Sequence, residues 1–116
     1  MANKQPDVAE VVKRIKFSAE GLVTAVAQHY QTNEVLMVAW MNREALEKTL
    51  ATGNVHYWSR SRNALWRKGE TSGHTQTLKE FYIDCDGDTV LLKVDQTGPA
   101  CHTGEKTCFF KRVIPA

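Results

Sequence analysis

Apolar positions change their period along this chain, and the changes divide it into elements. Val8, Val11, Val12 and Ile15 recur at helical spacing behind Asp7, which follows Pro6 and suits an N-cap, so a short peripheral helix is predicted over 8–17. Residues 21–30 read as a β-strand and 35–40 as a strongly apolar one, and the polar run 31–34 joins them as a hairpin. Helical spacing returns with Ala45, Leu46, Thr49 and Leu50. Asn42 offers a cap and Gly53 a stop, which predicts a helix over 43–52. Residues 55–59 are aromatic and β-branched and can pair with 65–68 across the polar turn 60–63. Residues 81–84 and 89–94 flank Asp86-Gly87, the strongest short hairpin signal in the chain. Beyond Gln96 the pattern turns irregular through Gly98, Pro99 and Gly104 before an apolar tail.

Strands that follow one another without helical crossovers predict an α+β fold. The expected architecture is a β-rich, antiparallel single domain over 1–116 with one central helix and a short N-terminal helical extension over 1–20. Composition changes this picture little. With 42% apolar and 24% charged residues, the 116-residue chain has the makings of one ordinary core. Charge narrows the partners: 15 basic against 13 acidic side chains leave a net charge of +2, too little for sequence-blind binding to nucleic acid. An anionic partner must therefore be held locally. No apolar run reaches membrane-spanning length, and the N-terminus carries Lys4, Asp7, Glu10 and Lys13 with no signal-peptide stretch. The expected location is the cytoplasm, where structural disulfides are disfavoured. Three cysteines could not all pair within the chain in any case.

Those cysteines are the first candidate chemistry. Cys85 lies in Asp84-Cys-Asp-Gly-Asp88, which puts three carboxylates and a thiol into five residues. Carboxylate oxygens suit Mg²⁺ and thiolates suit Zn²⁺, so the segment holds ligands for two kinds of ion. If the strand continues that far, alternation sends Asp84 and Asp86 to one face and Cys85 to the other. Cys101 and Cys108 lie in a later loop-like segment without a CxxC pair, unlike a structural zinc knuckle. Three protein ligands and one open position make a catalytic zinc arrangement, in which bound water becomes acidic enough to supply hydroxide near neutral pH. Taken singly, each cysteine is more often a small buried hydrophobe; the set favours ligation. His102, beside Cys101, suits a proton carrier, a fourth ligand or a plain loop hydrogen bond equally well.

A second candidate region interleaves Tyr57, Trp58 and Trp66 with Arg60, Arg62, Arg67 and Lys68, then runs into a glycine-flanked segment holding Thr71, Ser72 and His74. Cations and such hydroxyls hold phosphates, and aromatic rings stack on bases. The plainer reading is an amphipathic hairpin with a solvated basic face.

Taken in order, Ser59-Arg-Ser-Arg62, Trp66-Arg-Lys-Gly-Glu-Thr-Ser-Gly-His74, Asp84-Cys-Asp-Gly-Asp88 and Cys101-His-Thr-Gly104 with Cys108 resemble the phosphoribosyl-AMP cyclohydrolase family, over about 21–110. The resemblance implies hydrolysis of the N1–C6 bond of the adenine ring of phosphoribosyl-AMP, a step of histidine biosynthesis. It further implies zinc at Cys85, Cys101 and Cys108 and magnesium at Asp84, Asp86 and Asp88. An intertwined homodimer with zinc sites shared between chains follows from the same pattern. Within it, His102 or His74 would move protons, while Lys68, Arg60, Arg62, Arg67, Thr71 and Ser72 would orient the substrate and its phosphates. A nucleobase deaminase would use related chemistry, but its H-x-E and P-C-x-x-C signature is absent. From another class, an RNA-binding zinc module would account for the aromatic and basic segment, with its zinc closed by four protein ligands.

Overall fold

The computed structural model describes residues 7–116, so the first part of the expected extension, 1–6, lies outside the described residues. Asp7 caps α1 (Val8–Lys13), its side chain accepting from the amides of Ala9 and Glu10. The helix ends before the predicted limit because the chain turns inward: Ile15 is buried, and the Lys16 amide donates to the Gly87 carbonyl at 2.7 Å instead of continuing the helix. α2 (Arg43–Thr52) has the predicted ends. The Asn42 side chain accepts from the Ala45 amide at 2.9 Å, Gly53 closes the helix, and Ala45, Leu46, Thr49 and Leu50 are its buried face.

β1 (Val23–His29) and β2 (Val35–Met41) form the first hairpin, β3 (His56–Ser59) and β4 (Ala64–Arg67) the second, and β5 (Gln76–Ile83) and β6 (Thr89–Gln96) the third. β2, β1, β6 and β5 make a four-stranded sheet in that order, while β3 and β4 form a separate ribbon. The fold is thus α+β and sheet-rich, with two helices, but it is not purely antiparallel. β1 runs parallel to β6 from Thr24 opposite Thr89 to His29 opposite Val94. Apolar alternation tells which face of a strand is buried and carries no information on which distant strand lies beside it.

β5 begins earlier than its apolar residues indicate. Gln76 is buried and accepts from the Tyr57 hydroxyl at 2.7 Å, while its amide donates to the Gln96 side chain at 2.8 Å. Polar side chains therefore start this strand because a partner satisfies them inside the core. Val23, Ala25 and Ala27 of β1, Val90, Leu92 and Val94 of β6, and Leu46 and Leu50 of α2 pack into one cluster that also contains Tyr57. Among the described residues, no helix is long and apolar enough to cross a membrane.

Candidate active site

The irregular segment after β6 folds back on itself and then onto β2. The amides of Ala100 and Cys101 donate to the carbonyls of Lys106 and Glu105, and the Gly104 amide donates to the Cys101 carbonyl. The Thr107 hydroxyl donates to the Val35 carbonyl at 2.7 Å, and the Cys108 amide donates to the Leu36 carbonyl at 2.7 Å. This stitching brings the Cys101 and Cys108 thiols close enough for each to influence the other's ionisation. Cys101 is buried and Cys108 exposed. The Thr103 hydroxyl, donating to the Cys101 sulfur at 3.1 Å, holds that thiol below its usual range. Desolvation and the neighbouring Cys101 push Cys108 up. Lys68 donates to the Ala100 carbonyl at 2.7 Å, which ties the end of β4 to this loop. Desolvation lowers the Lys68 pKa, and the two thiols oppose the shift.

His74 belongs to the same neighbourhood. A methyl group added at Gly98 would lie 2.6 Å from its ring, so the imidazole rests directly against the cysteine loop. At Gly69, with φ +84°, an added methyl group would lie equally close to the His74 carbonyl carbon. Gly69→Ala therefore meets both left-handed strain and a backbone clash at 2.6 Å. We expect a loss of roughly 3 kcal/mol in stability, measured by denaturant unfolding. His102 is exposed on the loop.

The acidic segment corrects the alternation expected for it. β5 ends at Ile83, and residues 84–88 are a turn, so Cys85 and the carboxylates are not distributed over two faces of a strand. The three aspartates converge anyway, with carboxylate oxygens within 4.8 Å of one another. The Asp84 side chain accepts from the amides of Asp88 and Thr89, and the Gly87 backbone packs against the Arg14 carbonyl. Desolvation works to raise Asp84, but hydrogen bonds from Asp88, Thr89 and Asp86 prevail and hold it low; hydrogen bonding to Asp84 and Asp86 raises Asp88. Three carboxylates this close share a proton unless a cation neutralises them, and their oxygen donors fit a hard ion such as Mg²⁺. Cys85 is exposed on the same turn. Among the described residues, no group of three metal-donor side chains includes a cysteine.

A groove of about 690 Å³ is lined by Trp40, Trp58 and Trp66 with Ser59, Arg60 and Arg62. An adjoining hollow of about 270 Å³ shares Arg62 and Trp66 and adds Arg67, Lys68, Thr71 and Ser72. A third, of about 360 Å³, shares Trp40 and Arg60 and reaches Asp88. All the predicted substrate-facing residues thus line one continuous surface. Tyr57 does not: it is fully buried, with its hydroxyl pKa raised far above the usual value by that burial, so it cannot stack on a base. Trp40, which strand periodicity reads only as an apolar core position, is part of this surface; its place beside Arg60 could be seen only once β2 and the β3–β4 turn were folded together.

A cationic groove lined by tryptophans and flanked by hydroxyls has the chemistry to receive a phosphorylated aromatic compound. Comparison with known proteins makes this specific. The family model described as PRA-CH, phosphoribosyl-AMP cyclohydrolase, matches residues 37–110, and the chain belongs to that family of hydrolases. It is 64% identical over 109 residues to the phosphoribosyl-AMP cyclohydrolase of Paramagnetospirillum magneticum, covering 94% of this chain and 83% of the relative. It is 60% identical over 107 residues to that of Alkalilimnicola ehrlichii, covering 92% and 75%, and 62% identical over 104 residues to that of Granulibacter bethesdensis, covering 90% and 81%. Family membership favours the enzyme over the RNA-binding zinc module.

Proposed function

We propose that the chain hydrolyses the N1–C6 bond of the adenine ring of 1-(5-phosphoribosyl)-AMP, giving the ring-opened imidazole carboxamide ribonucleotide of histidine biosynthesis, in the cytoplasm and as a homodimer. The observation that carries this reading is a run of adjoining hollows lined by tryptophan and arginine that reaches Asp88 of the acidic turn and also includes Lys68, whose ammonium bonds the Ala100 carbonyl beside Cys101. Cys85, Cys101 and Cys108 would hold zinc, and Asp84, Asp86 and Asp88 would hold magnesium. When bound, zinc supplies the Lewis acidity that makes water nucleophilic near neutral pH. Water adds at C6 and the N1–C6 bond breaks, with the C6 nitrogen kept as a carboxamide rather than lost as ammonia.

The chain's own side chains perform the remaining tasks. Arg62, Arg67, Thr71 and Ser72, beside one another in the smaller hollow, suit a phosphate group. Lys68 reaches the cysteine loop and supplies positive charge where negative charge develops. Exposed His102 is free to carry a proton to the opened N1, while His74, held against Gly98, is less mobile and suits positioning. Sharing of the zinc site is supported by the pairing of Cys101 with Cys108 on one loop and the position of Cys85 on another turn: a single chain offers two thiolates at the pair.

The decisive assay incubates zinc-loaded protein with phosphoribosyl-AMP and follows the carboxamide product; absence of turnover overturns the proposal. Asp84→Asn, Asp86→Asn and Asp88→Asn are expected to weaken the magnesium response about tenfold or more while leaving zinc content near wild type, because oxygen and sulfur sites prefer different ions. Metal analysis beside magnesium titration separates the two, and joint loss of both ions would refute the division into two sites.

A further inference from the structure

We propose that Trp40 determines substrate specificity by stacking on the adenine ring of the N1-substituted nucleotide, at a position that the Arg60 guanidinium occupies in the free protein. The Arg60 carbon lies 4.3 Å above the centre of the Trp40 ring. A guanidinium is planar, delocalised and cationic. An N1-substituted adenine is a cyclic amidine, far more basic than adenine itself, and in its protonated form it has the same three properties. An indole face that favours the first favours the second, whereas unsubstituted adenine is neutral and gains no cation–π attraction.

Of the three tryptophans lining the groove, cations lie over Trp40 and Trp66 among the described contacts and not over Trp58, and Trp66 is already engaged by Tyr57 as well. Trp66 packs on buried Tyr57 with ring centres 5.2 Å apart, and Lys68 approaches it at 5.9 Å. Trp40 is half-buried in β2, which fixes its plane, while Arg60 sits exposed on the turn between β3 and β4 and can swing away without disturbing the core. Trp40 and Arg60 also line the hollow that reaches Asp88, so a stacked base would leave one of the substrate's two phosphates near the acidic turn and the released Arg60, and the other toward the hollow of Arg62 and Arg67. This role rests on the proposed hydrolysis and sharpens it: the enzyme selects its nucleotide by the charge of the ring it opens.

The test compares 1-methyladenosine 5′-monophosphate, cationic near neutral pH, with AMP, by isothermal titration calorimetry. Their shared phosphate and ribose cancel in the ratio of affinities. Wild type is expected to favour the methylated nucleotide by about tenfold, Trp40→Phe by less, and Trp40→Leu not at all. Circular dichroism verifies folding, and Trp40→Phe alone decides if the leucine variant does not fold. A wild-type preference unchanged in the folded variants overturns the role of Trp40, as does equal binding of both nucleotides by wild type. Failure of the hydrolysis reading would be seen separately, as wild-type protein without turnover.

Discussion

Cys85→Ala and Cys101→Ala homodimers are each expected to be inactive, and mixing the two under conditions of subunit exchange is expected to restore roughly a quarter of wild-type sites. The expectation rests on the separation of donors: Cys101 meets Cys108 within the loop stitched to β2, whereas Cys85 projects from the turn between β5 and β6. If the partner supplies Cys85, a mixed dimer has one site lacking both altered ligands and one site with all three thiolates. Half the dimers formed by random pairing are mixed, which fixes the recovery. Zinc content should rise in step with activity, since a site with two thiolates holds the ion weakly. Mixed dimers identified by native mass spectrometry but remaining inactive would exclude the shared site. A Cys85→Ala homodimer with full zinc and full activity would exclude Cys85 as a ligand.

Gln76→Leu is expected to cost about 3 kcal/mol and to lower the melting temperature by roughly 10 °C. The substitution removes the acceptor of the buried Tyr57 hydroxyl and the donor to Gln96 while nothing replaces them. Adding Tyr57→Phe to it should recover part of the loss, because deleting both partners is cheaper than orphaning one. Thermal unfolding of the single and double variants measures this, and additive losses would contradict the coupling. The Gln96 amide also donates to the His74 and Thr97 carbonyls, at 3.4 and 3.1 Å. Damage at Gln76 thus reaches the loop on which His74 sits.

Local rules decided how much of this molecule could be read before it was folded. α2 was legible to the residue because both its ends are chemical: an asparagine side chain that caps and a glycine that stops. The three hairpins were legible because their turns are short and their strands adjacent. Non-local choices were not. Nothing in β1 names β6 as its parallel neighbour, and nothing around Gln76 marks it as a strand residue until Tyr57 arrives from β3 to satisfy it. The acidic turn shows both sides. Its carboxylate density marked a cluster of oxygen donors, which the fold does bring together, yet the period-two argument for Cys85 failed, because the strand stops at Ile83 and the Asp84 side chain accepts the amides that close the turn. Trp40 remained hidden for a related reason: an aromatic residue in an apolar strand reads as core whichever way its ring faces.

The parallel contact between β1 and β6 also sets an order of assembly. Each hairpin pairs neighbours in sequence and can close while the chain is still emerging from the ribosome, whereas Thr24 must wait for Thr89 before the central pair of strands can form. Until β6 is made, the inner edge of β1 has unpaired amides and carbonyls beside Val23, Ala25 and Ala27, all of which end up fully covered. The nascent protein therefore passes through a stage whose most adhesive edge lies at the future middle of its sheet, and release from that stage comes only with synthesis of the strand that follows the acidic turn.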